Sequence, residues 1–263
     1  MMEQLQAMGT GELEMNTGRI VLSGDLDALS QAAASRIVQI AETAIQDQGV
    51  FNIALSGGST PVHLHQVLAS PTFRPRIAWG HVHVYFGDER NVPHDHPESN
   101  YRMARETLLS QLAIPASQVH PIPTGCDDMQ SCANAYARQL EQLPQREGMP
   151  CFDLILLGMG KDGHTASLFP GTEILRERSR SVAAVFVPKL DTWRVSLTYP
   201  VLAQARAVMV LVSGESKADV LYDVFNHPER HYPIQGVHNA QMEWYVDRAA
   251  AERLTESDVG ISG

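Results

Sequence analysis

The sequence predicts an α/β fold of three layers, Rossmann-like, in which a mostly parallel sheet carries helices on both faces. Three observations predict it. Short apolar runs alternate along the chain with longer stretches of helical periodicity. The runs are almost continuously apolar, as strands buried on both faces must be. Several of them end abruptly in Gly, Asp, Ser or Lys, the way strands of such sheets release functional groups at their carboxyl ends.

The elements follow in order. The first 18 residues are read as loosely held, and a helix is predicted over 27–47. FNIAL (51–55) is a strand, followed by a helix over 61–69 and a second strand, VHVYF (82–86). Helices over 99–112 and 127–143 precede the apolar run FDLILL (152–157). Further strands are read at 181–187, 194–200 and 207–213, then a helix at 215–225, a strand MEWYVD (242–247) and a terminal helix on AAAERL. The proline-rich stretch around Pro121 and Pro123 has the same alternation on either side, so it is a crossover loop and not a boundary. Residues 1–263 are therefore read as one domain, long enough at 44% hydrophobic content to bury a full core.

Composition narrows the function classes. A formal net charge of -10, with no lysine or arginine run, argues against a nucleic-acid surface, so an anionic ligand needs a local cluster of cations. The amino terminus has neither a basic start nor a long apolar core, and no apolar stretch approaches the roughly 18 residues that span a membrane. A soluble, cytoplasmic protein is expected. Cys126, Cys132 and Cys151 are odd in number and form no CxxC pair, which predicts buried free thiols without chemistry.

Four segments carry candidate chemistry. In ALSGGSTP (54–61), Gly57 and Gly58 allow a tight turn after a strand, Ser59 or Thr60 can cap the next helix, and Pro61 suits its first position. The free amides of such a helix start favour a phosphate, although an ordinary capped turn has the same residues. In YFGDERNVPHDHPESNYRM (85–103), Asp88, Glu89 and Arg90 follow a strand, either as a solvated loop or as the lip of a pocket. His81 with His83, and His94 with His96, have no third ligand at a recognisable spacing, so no metal is expected.

The third segment follows FDLILL. Gly158, Gly160 and Gly163 satisfy GxGxxG, but Pro170 and Gly171 stop any long helix, and no acidic residue closes a second strand about 20 residues on. The better reading is a turn that presents Asp162 and His164 together, the neutral imidazole serving as a base near pH 7. The last segment is basic: Lys189 and Arg194 flank a turn between strands, and Lys217 opens a helix after another strand end.

In this order, ALSGGSTP, DERNVPHDHPESNYRM, DGHTASLFPG, VPK with RVSLT, and SGESKA with WYVDRAAA resemble the 6-phosphogluconolactonase family, within the wider group of amino-sugar phosphate deaminases and isomerases. The resemblance implies that Ser56, Gly57, Gly58, Ser59 and Thr60 hold a phosphate with Arg194 and Lys217. It implies that Arg90 faces the lactone end, with Asp88 beside it among the substrate-binding residues. His164 would activate water with support from Asp162. It implies a phosphorylated sugar lactone as ligand and no cofactor. Where the family tends to have prolines between Lys189 and Arg194, this chain has Leu190, Asp191, Thr192 and Trp193. A deaminase or isomerase would use the same cradle but has an aromatic residue in place of Arg90, and a non-catalytic sensor would carry an added binding module.

Overall fold

The computed structural model describes residues 11–15 and 18–255. Twelve strands and six α-helices are described: β1 (Gly11–Met15), β2 (Gly18–Ser23), α1 (Leu26–Gln48), β3 (Phe51–Leu55), α2 (Ser59–Ala69), β4 (Val82–Phe86), β5 (Asp88–Arg90), α3 (Asn100–Thr107) and α4 (Met129–Leu140) come first. They are followed by β6 (Gln145–Arg146), β7 (Met149–Pro150), β8 (Leu154–Gly158), β9 (Val182–Val187), β10 (Thr192–Leu197), α5 (Tyr199–Gln204), β11 (Val208–Val212), α6 (Ala218–Asn226) and β12 (Met242–Asp247).

The main sheet has the order β1-β2-β12-β11-β8-β3-β4. Every pairing in it is parallel except β1 with β2. β3 and β11 are buried at all five positions, which is why they read as unbroken apolar runs. Helix α1 begins on Asp25, whose carboxylate accepts from the Ala28 amide at 2.9 Å, and stops at Gly49, whose φ of 77° closes the last turn. Between these ends Leu29, Ala33, Ile37 and Ala41 recur at i+4 and are buried in the core.

The connections set the site. From β3 the chain moves to β4 on one side, and after α4 it returns to β8 on the other side of β3. The crevice between the carboxyl ends of β3 and β8 is thus the point where the winding reverses, the place where open α/β sheets bind ligands.

One open reading is decided and three expectations need correction. Of the two readings of residues 88–90, solvated loop and pocket lip, the structure has the second. They form β5, which pairs with β10, and β10 with β9, in a separate antiparallel sheet, and Asp88 and Arg90 reach the cleft described below. Gly11–Met15, read as loose, pairs antiparallel with Gly18–Ser23, while residues 1–10, 16 and 17 lie outside the described residues. AAAERL makes turns and not a helix, because the Asp247 carboxylate takes the Ala250 amide at 2.8 Å and also the Gly214 amide, which ties the segment back to the end of β11. Cys126 and Cys132 form a disulfide, and Cys151 alone is a buried thiol. Cys126 lies in the loop before α4 and Cys132 in its first turns, so the fold brings together two residues that no sequence motif links.

Candidate active site

A cleft of about 290 Å³ opens at the reversal point. Ser56, Gly57, Gly58, Ser59, Thr60, Asp88, Arg90, His164, Arg194 and Lys217 all line it, and Asp162 stands behind His164.

The turn after β3 starts α2 differently from the sequence reading. The helix is capped by Gly58, at φ 108°, with no side-chain cap, so Ser59 and Thr60 lie inside the first turn and Pro61 follows them. The positive φ at Gly58 does the turning, so Ser59 and Thr60 line the cleft from a first helical turn whose amides lack intrahelical acceptors.

β5 supplies the next group. Asp88 and Glu89 are buried, yet each carboxylate is satisfied. Glu89 accepts from the amides of Arg90, Asn100 and Tyr101 at 2.8 to 2.9 Å and from Ser99 Oγ at 3.0 Å, which fastens it to the start of α3. Asp88 takes Ser167 Oγ at 2.6 Å and Asn100 Nδ2 at 3.1 Å, and lies 3.6 Å from Arg194 Nη1. Burial holds the Arg194 guanidinium below its ordinary range against the pull of Asp88.

The turn after β8 presents the histidine. Gly163 N–H donates to the Gly160 carbonyl at 3.0 Å and Gly160 N–H to the His164 carbonyl at 2.8 Å. A side chain at Gly160 would place its Cβ 2.0 Å from His164 Nδ1 and 2.7 Å from Asp162 Oδ1, so the glycine is what lets the two meet. His164 Nδ1 is 2.5 Å from Asp162 Oδ1, and the imidazole stacks on Phe169 with centroids 4.0 Å apart. A carboxylate only accepts, so the proton is assigned to Nδ1 and Nε2 keeps its lone pair. Burial lowers the histidine below its usual value and outweighs the pull of Asp162 in the other direction. Burial alone would raise Asp162, but hydrogen bonds from Lys189 and His164 hold it down to about 2. Lys217 donates to the Met159 carbonyl at 2.7 Å; burial, then the charge of Lys161, lowers it.

The histidine pairs are engaged elsewhere: His83 with His120 at 3.1 Å, His81 with the Gly49 carbonyl at 3.0 Å, and His94 with the Ile122 carbonyl at 2.8 Å. Among the described residues no group of three His, Cys, Asp or Glu side chains is placed to hold a metal, and no helix is long and apolar enough to cross a membrane.

Residues 24–246 match the family described as glucosamine-6-phosphate isomerases/6-phosphogluconolactonase. The chain belongs to this family. It is 42% identical over 217 residues to a 6-phosphogluconolactonase of Synechocystis, covering 80% of this chain and 88% of that one. To one from Nostoc it is 37% identical over 240 residues, covering 88% and 96%. The structure of 6-phosphogluconolactonase from Trypanosoma brucei superposes with a TM-score of 0.78 at 34% identity, over 90% of this chain and 98% of that one.

One residue lining the cleft of this family member escaped the sequence reading. Asn100 donates from Nδ2 to the Asp88 carbonyl at 2.9 Å, and its buried Oδ1 has no protein partner. A Cβ on Gly57 would come within 2.0 Å of that oxygen, so Asn100 and the SGGST turn are packed as one wall. The only signal in the sequence is its place in PESNYRM, just after a serine able to cap α3.

Proposed function

We propose that this protein hydrolyses 6-phospho-D-glucono-1,5-lactone to 6-phosphogluconate, in the oxidative part of the pentose phosphate pathway. The observation that supports the reading most is His164, its Nδ1 tied to Asp162 and its Nε2 open, in a cleft that also holds the SGGST helix start, Arg194 and Lys217.

The chemistry follows from that inventory. The Ser56 to Thr60 turn, Arg194 and Lys217 hold the phosphate by charge-assisted hydrogen bonds. His164 Nε2 takes a proton from water, whose oxygen bonds to the lactone carbonyl carbon. Asp162 stabilises the imidazolium that results. The bond from that carbon to the ring oxygen then breaks, and the imidazolium returns its proton to the leaving oxygen. Arg90 faces the carbonyl and the carboxylate it becomes, and Asp88 holds Arg194 and Asn100 in place. Neither a metal nor an organic cofactor enters the scheme. A single domain, a phosphorylated sugar lactone as partner, no nucleic-acid partner and a cytoplasmic location complete the reading.

The test is incubation with the phosphorylated lactone and, separately, with glucosamine 6-phosphate, following acid release and ammonia release. Acid release above the spontaneous rate is expected, without ammonia. Ammonia release without lactone hydrolysis would replace the reading with a deaminase, and binding of both compounds without turnover would replace it with a sensor.

A further inference from the structure

We propose that Lys189 is a positioning residue for the histidine base, clamping the outer oxygen of Asp162 so that the inner oxygen stays fixed on His164 Nδ1. The proposal deepens the lactonase reading and rests on it for its kinetic arm.

Asp162 sits in a turn flanked by Gly160 and Gly163, and the contacts it receives from its own segment, from the His164 ring and the His164 amide at 3.4 Å, both fall on Oδ1. Its Oδ1 takes His164, and its Oδ2 takes Lys189 Nζ from another element. Lys189 arrives on the turn between β9 and β10, a 3₁₀ turn closed by Asp191 in the left-handed region at φ 46°. The same ammonium lies 4.9 Å from the centroid of Phe169, the ring on which His164 stacks at 4.0 Å. Carboxylate and aromatic face together define the lysine's seat, and both are shared with the base. The proline-free loop Leu190 to Trp193 thus still delivers its lysine to the catalytic turn.

The link has an electrostatic consequence. An unshared Asp162 carboxylate would favour the imidazolium in full, while Lys189 offsets part of that field and keeps the imidazole neutral at lower pH. The other charges facing His164 are Asp88 from β5 and Arg194 from β10, whose guanidinium lies 5.4 Å from the Phe169 centroid. Tyr232 packs on Gly163, but its hydroxyl points to Asp223 at 3.0 Å. Because Lys189 is half exposed, an ordinary surface ion pair at this place would leave the active site untouched, which makes the effect on His164 diagnostic.

The experiment compares wild type, Lys189→Met and Lys189→Arg. First, the ring of His164 is titrated by NMR in the protein without substrate. The midpoint is expected to rise by about half a pH unit to one unit in Lys189→Met, and to stay near wild type in Lys189→Arg. Second, lactone hydrolysis is followed after subtraction of the spontaneous rate. Lys189→Met should lose about tenfold in kcat with little change in KM, and its acid limb should move with the NMR midpoint. A His164 titration unchanged in Lys189→Met would overturn the proposal, as would a rise in KM at constant kcat, which would put the lysine on the substrate. Absence of lactone hydrolysis in the wild type would sink the reaction assigned above, and the ring titration would still decide the place of Lys189.

Discussion

Arg90 and Arg194 stand directly opposite each other in the antiparallel pairing of β5 with β10, and both line the cleft. Like charges face to face across strands are unfavourable, and the buried Nε of each has no protein partner. The charge of Arg90 also helps to lower Arg194, after burial. Under the proposed function the anionic substrate meets this positive charge, Arg194 taking the phosphate and Arg90 the lactone end. Inorganic phosphate at millimolar concentration should therefore raise the Tm of the wild type, and Arg194→Ala should lose most of that gain. In kinetics, Arg194→Ala and Lys217→Ala should chiefly raise KM, each costing on the order of 1.5 to 3 kcal/mol if the lost bond is a desolvated, charge-assisted one. An unchanged KM in both variants would remove the phosphate from this end of the cleft.

Gly160 offers a test that leaves every functional group in place. A methyl group there would meet His164 Nδ1 and Asp162 Oδ1 well inside contact distance, so Gly160→Ala must push the two apart or turn the imidazole. We expect a loss of about 10² in kcat, the scale of a displacement near 1 Å, with KM little changed. Circular dichroism and Tm will show whether the fold has survived. A variant with normal kcat would mean that the Asp162–His164 contact does not matter to turnover.

The sheet and most of the cleft were legible in the sequence for one physical reason. Strands buried on both faces need continuous apolar runs, and the groups released at their ends, in SGGSTP, DGHT and SGESK, had to meet at one edge. What stayed hidden depends on pairings between distant segments. DER leaves solvated loop and pocket lip open because three charges in a row suit either, and nothing local shows that Glu89 will be consumed by the start of α3. Asn100 has no chemistry until Asp88 and Gly57 are packed beside it. The disulfide joins a loop cysteine to a helical one without a recognisable spacing, and Lys189 meets Asp162 across 27 residues of chain. The glycine turn falls where the sequence puts it, but α2 starts at residue 59 and not 61, because Gly58 and not a hydroxyl side chain occupies the cap position.

In the proposed mechanism His164 sets the pH dependence of the reaction. Burial, the largest influence, lowers its pKa, and Asp162 and Asp88 only partly restore it. The neutral base should thus persist below the ordinary histidine range, and kcat/KM should fall with an acid midpoint under about 6.5. His164→Asn should bind substrate but lose roughly 10²- to 10⁴-fold in kcat, about 3 to 5 kcal/mol of transition-state stabilisation. Both comparisons require subtraction of the uncatalysed rate at each pH. Near-normal corrected turnover in His164→Asn would shift the search for a base to Asp88.

Stability should also depend on pH, through a histidine far from the reaction. His65 is fully buried on α2, with Nδ1 2.9 Å from Thr107 Oγ1, while that hydroxyl donates to the Met103 carbonyl at 2.8 Å. The ring therefore donates from Nδ1, and its buried Nε2 has no partner. Protonation would add a charged N–H with nothing to accept it, and desolvation lowers the group to about 4. Between that value and the unfolded value of about 6.5, the unfolded chain binds the proton and the folded chain does not, so stability falls as pH falls. From pH 7 to pH 5 the loss from this one group is about 2 kcal/mol, levelling off below pH 4. His120 and His83, also lowered by burial, add to it with the same sign. Urea unfolding at a series of pH values measures the slope, and His65→Leu, which cannot titrate, should flatten it whatever its absolute stability. An identical slope in that variant would show that His65 gains an escape to water on protonation.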